Sequence, residues 1–97
     1  MNKIILNEEE FILENFNKNT SYNNGVITST GFAAIITEDM TAVKALAASP
    51  ITKIQVYHDD QLIYNLVDTN ARVDSISEFL ANDHISININ MTFKEGA

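Results

Sequence analysis

Histidines beside carboxylates are the side chains here that could ligate a metal or pass a proton, and they occur as His58-Asp59-Asp60 and Asp83-His84. Two such sets could meet in space and hold a cation. Each also sits where a turn or a helix end already explains its polar residues, so no metal ligand and no cofactor is expected. Nucleophilic catalysis has less to build on. Ser21, Ser29, Ser49, Ser75, Ser77 and Ser86 lie in no glycine-flanked elbow, and there is no cysteine. Gly25, Gly31 and Gly96 form no phosphate-cradling loop. The carboxylates of Glu8 to Glu10 read as a solvated run. No catalytic residue is assigned, and the chain reads as a non-enzyme.

Composition narrows the remaining classes. Thirteen acids against six bases give a net charge of −7 over 97 residues, and the bases stand singly. That is the wrong balance for direct nucleic-acid binding, which needs clustered cations against phosphate. No stretch nears the roughly 20 apolar residues of a membrane span. The opening MNKIILNEEEF carries one lysine and then three glutamates, unlike a signal peptide. With cysteine absent, a cytoplasmic setting is expected, or a particle assembled there.

The elements follow from spacing. Lys3 to Leu6 is a short β-branched run, after which two readings stay open for residues 7–16. Asn7 with Glu10 resembles a capping box that opens a helix. Alternatively Asn7 to Glu9 is a hairpin turn, which the poor helix formers Asn17 to Ser21 favour. Asn23-Asn24-Gly25 is a turn that leads into a strand over 26–36, where Gly31 marks a bulge or a close backbone approach. Thr37 is placed as the N-cap of a helix, with Glu38 and Asp39 in its first turn. Met40, Val43, Leu46 and Ala47 line one face of that helix, and Ser49-Pro50 ends it. Thr52 to His58 and Gln61 to Val67 flank Asp59-Asp60 as a hairpin. Asp68-Thr69-Asn70 then precedes Val73, Ile76, Phe79 and Leu80, whose spacing predicts a second amphipathic helix broken at Asn82-Asp83. Finally Ile85, Ile87, Ile89, Met91 and Phe93 alternate with Ser86, Asn88, Asn90 and Thr92 in a half-buried strand.

The order from residue 26 to 94 is strand, helix, strand, strand, helix, strand. It predicts an α+β single domain of ferredoxin-like βαββαβ arrangement, largely antiparallel, with an N-terminal strand or hairpin added at its edge. Two places invite a protein contact. Tyr57 shares a face with Lys53 and Gln55, opposite Ile54 and Val56. Ser86, Asn88, Asn90 and Thr92 make a polar face without charge, although exposed strands usually carry a guarding Lys or Glu. That strand is either suited to pairing with another chain or central and covered by the N-terminal hairpin.

Residues 51–66, with Ser75 to Leu80 and Ile85 to Asn90, resemble small proteins encoded by phages and prophages of low-GC Gram-positive bacteria. The resemblance implies a virion or assembly component in the host cytoplasm or virion, partnered by its own copies or by other phage proteins. It brings no functional residue with it. A structural or accessory protein acting by self-association and docking is therefore expected. The alternative is an acidic decoy for a basic host surface, which requires Glu8 to Glu10, Glu38-Asp39 and Asp59-Asp60 to converge on one patch.

Overall fold

The computed structural model describes residues 1–80 and 85–94 and contains six strands and one helix: β1 (Lys3–Leu6), β2 (Glu9–Asn23), β3 (Val26–Ile36), α1 (Met40–Ala48), β4 (Ile51–His58), β5 (Gln61–Leu80) and β6 (Ile85–Lys94). Tight turns join the hairpins where the sequence supplies residues that tolerate positive φ. Asn24 (φ 53°) and Gly25 (φ 82°) turn β2 into β3, and Asp59 (φ 48°) and Asp60 (φ 67°) turn β4 into β5. Asn7 (φ 58°) turns β1 into β2, so residues 9–16 are strand and not helix.

Every adjacent pair is antiparallel, and the strands close into a barrel in the order β1-β2-β3-β6-β5-β4. The ferredoxin-like α+β arrangement is thereby overturned: the sheet is closed, and the second helix does not exist. Its residues, from Val73 to Leu80, form the second half of β5 and pair with β6. The N-terminal strand is no edge addition either. β1 is the closing stave, paired with β2 through Lys3–Leu6 and with β4 through the same four residues.

A β-bulge accounts for the false helix. The β5–β6 register shifts between Val73 and Ser75, so Val73 faces Met91 and Ile76 faces Ile89. One extra residue, Asp74, turns the strand's period of two into a gap of three, which imitates the i, i+3 spacing of a helix. A second bulge, between Leu13 and Asn15, does the same to β2. Phe11 and Leu13 point inward, and the next inward side chain is Phe16.

β5 is the strand that changes partners. Its first half, to Ala71, pairs with β4, and its second half, from Arg72, pairs with β6. Where β4 is missing beside the second half, α1 packs on β5 and directs Ala42, Val43 and Leu46 into the core. Helix initiation differs in detail from expectation. Asp39, not Thr37, is the N-cap, its carboxylate accepting from the Ala42 amide at 3.0 Å. The Thr37 hydroxyl accepts from the Asp39 amide instead, which places Glu38 and Asp39 ahead of the helix. Ser49-Pro50 does end it.

Ile4, Leu6, Ile35, Ile51, Ile54, Val56, Ile87, Ile89, Met91 and Phe93 are fully buried. Each buried aliphatic side chain of this size is worth about 1.5–3 kcal/mol. The turn at Asn7 ties the barrel to the start of β4. Its side-chain oxygen accepts from the Thr52 amide (2.8 Å) and hydroxyl (3.1 Å), and its backbone amide donates to the Lys53 carbonyl at 2.9 Å.

Candidate interaction face

The alternation along β6 resolves into two faces. Ile87, Ile89, Met91 and Phe93 are inside the barrel, while Ser86, Asn88, Asn90 and Thr92 are outside and half-buried. The Ile85 side chain lies outside the described residues. β6 is a central stave, paired along both edges with β3 and β5. Neither edge is open to another chain, and contact there has to use the outer face. The N-terminal hairpin does not lie over that face, because its strands are built into the barrel wall.

Register places the β6 polar residues within a wider surface. One row across the wall runs Asn17, Phe32, Asn90, Ser75. The next runs Asn15, Ala34, Asn88, Ser77, and a third runs Asn19, Thr30, Thr92, Arg72. Of these twelve residues, only Arg72 carries charge, and it is held by Asp74 at 3.1 Å. The amide of Asn90 donates to the Ser75 hydroxyl at 3.1 Å. The Asn, Ser and Phe members on β2, β3 and β5 were invisible as a site in the sequence. The signal was there, though: no acid occurs between residues 15 and 37.

The one base in that stretch, Lys18, is exposed and lies on the Phe16 side of β2, its ammonium 4.4 Å from the centroid of the Tyr64 ring. Tyr64 in turn lies between Phe16 and Phe93, with ring centroids at 6.0 and 6.5 Å. The outer surface of β2 is thus left without charge from Asn15 to Asn23. Its strand ladder with β1 stops at Ile12, and the Leu13 amide donates to the Asn2 carbonyl (3.0 Å). From Asn15 onward β2 pairs with β3 alone among the described strands. An open edge is a template for strand addition, here with Lys18 as its one charge.

Tyr57 stands on the opposite wall, facing out beside Lys53 and Gln55, with Ile54 and Val56 buried behind. The ammonium of Lys3 is 4.8 Å from its ring centroid and also pairs with Glu10 at 3.2 Å. Exposed Ile63, Val67 and Ile12 lie on neighbouring strands of that wall.

Among the described residues, the groups that could do chemistry do not gather. His58 is exposed at the β4–β5 turn, its Nε2 3.5 Å from Asp59, and Asp83 and His84 lie outside the described residues. No group of three His, Asp or Glu gathers to hold a metal among the described residues. A cleft of about 560 Å³ opens at the end of α1, walled by Ala47, Pro50, Ala71, Val73 and Phe93, with Arg72 and Lys94 beside it. Among the described residues, no carboxylate or imidazole lines it. No described helix is long and apolar enough to cross a membrane.

At the face's margin, the Thr92 hydroxyl donates to Asp74 and the Arg72 guanidinium stands beside it. The Thr92 bond first, and Arg72 after it, hold the Asp74 carboxyl below its ordinary 3.8. A depressed folded-state value adds stability above the unfolded value that is lost as pH falls through the folded one. Asp74→Asn is therefore expected to lose less melting temperature than wild type on acidification below about pH 4, in thermal scans across that range. The difference is small, because this carboxylate is partly exposed and screened. Equal losses in the two proteins would remove the stabilising role of this contact.

Comparison with known protein families, with characterised proteins and with solved structures returned no match.

Proposed function

We propose that this protein is a non-enzymatic structural or assembly component that works by self-association and docking, of the kind implied by its resemblance to small phage-encoded proteins. The observation that carries the reading is the polar outer wall of β2, β3, β6 and β5, where the charges among the rows described are the Arg72–Asp74 pair at its margin, contiguous with the open edge of β2. In a chain of net charge −7, copies repel wherever acidic surfaces approach. This wall is where they can meet without that repulsion.

The acidic-decoy reading asks for one carboxylate patch. Glu8 and Glu9 stand by Pro50 and Thr52, at the start of β4, whereas Asp59 and Asp60 follow its end. The eight residues of β4 separate them, about 25 Å at the usual rise of a strand. Glu8 and Glu9 thus stand apart from Asp59 and Asp60, which weighs against a single patch.

Analytical ultracentrifugation tests the proposal. Wild type is expected to sediment as a multiple of 10.8 kDa, and Asn17→Glu with Asn88→Glu to return it to the single-chain mass. A wild type that stays at the single-chain mass at all concentrations, and is missing from any isolated assembly, would sink the proposal.

A further inference from the structure

We infer that two copies join along β2 in antiparallel register about a twofold axis at Asn19, a contact that rests on the self-association reading above and specifies its geometry. The open edge fixes the register. It runs from Asn15 to Asn23, and its midpoint is Asn19. Only a pairing centred there matches the whole open segment to its own copy. Residues directly opposite in such a pair project to the same side of the sheet. Asn15 then faces Asn23 of the second copy, Asn17 faces Ser21, and Asn19 faces its own counterpart.

The inward side agrees with the same register. Phe16, half-buried, comes opposite Tyr22 of the second copy, which in the single chain is 72% exposed. The pairing supplies a cross-strand aromatic contact to the most exposed tyrosine on this edge. Lys18 comes opposite Thr20. Moving the axis one residue to Lys18 would set two ammonium groups directly opposite, which is unfavourable. Moving it to Thr20 leaves Phe16 opposite Asn24, in the turn. The joined copies present an eight-stranded outer wall with no acid along the seam, since residues 15–37 hold none. A twofold contact of this kind closes on itself as a dimer.

The absence of cysteine makes the register directly readable. Asn19→Cys, under diamide, is expected to convert largely to a covalent dimer: two thiols become one disulfide, and diamide takes up the two electrons and two protons. Asn15→Cys alone and Asn23→Cys alone are expected to stay single chains. A mixture of those two, carrying tags of different size, is expected to give the mixed dimer. Wild type that sediments as a dimer while Asn19→Cys stays reduced overturns this register and leaves self-association standing. Wild type that never exceeds the single-chain mass overturns both. Cross-linking of Asn23→Cys alone at the rate of Asn19→Cys would mean random collision, and would also overturn the register.

Discussion

Phe93→Ala is expected to cost about 3–5 kcal/mol of folding stability and to lower the melting temperature by upwards of about 12 °C. The ring is 1% exposed and is central to the packing between two walls of the barrel. On one side it meets Tyr64, and on the other it fills the space where Gly31 lacks a side chain. A Cβ added at Gly31 would lie 3.0 Å from Phe93 Cε1 and 3.6 Å from the Met91 methyl. Gly31 is therefore the close approach anticipated for it, and its pairing with Met91 is regular, without a bulge.

That contact yields a double-mutant cycle. Gly31→Ala alone is expected to destabilise, because the Phe93 ring it would press is buried against Tyr64 and must shift to make room. Combined with Phe93→Leu, the same alanine gains room, and the cost of the double variant should fall short of the sum of the two single costs by about 0.5–3 kcal/mol. Urea denaturation of the four proteins measures the shortfall. Strictly additive costs would show that the ring yields freely and that glycine is not required at this position.

What was legible in the sequence, and what was not, divides along physical lines. β6 could be read outright because its alternation is uninterrupted, β3 because a turn with positive φ precedes it, and β4 because one follows it. Helix α1 could be read because Pro50 stops it and apolar residues recur at helical spacing. The false helix came at Asp74, and a like irregularity at Glu14 kept a helical reading open beside the favoured hairpin. Each is the extra residue of a bulge and breaks the period of two where an apolar side chain was due. Closure was illegible for another reason. The pairing of Ile4 with Val56 joins residues far apart in the chain, and no local pattern in either records the other. The polar wall was visible only on β6. On β2 the same property sits in Asn15, Asn17 and Asn19, residue types that favour turns and read as poor strand formers.

The face assignment on β6 can be broken by a single residue. Ile89→Asp is expected to abolish folding at neutral pH, while Asn88→Asp, its immediate neighbour, folds with near wild-type stability. Ile89 is fully buried, flanked across the sheet by Ala33 and Ile76, and none of these offers a partner to a carboxylate. An unpaired charge there costs several kcal/mol beyond the lost packing, against a total stability of about 5–15 kcal/mol for a domain of this kind. Asn88 lies on the outer side between Ala34 and Ser77, where water reaches it and a carboxylate stays solvated. Far-ultraviolet circular dichroism and soluble yield separate the two variants. The contrast matters beyond stability, since Asn88→Asp also puts an acid on the wall through which copies are proposed to meet. A protein that keeps its fold yet sediments lighter than wild type would show that the wall's neutrality serves association, not folding. Two variants equally folded would mean that β6 does not alternate between interior and surface, and the barrel with its polar wall would fall together.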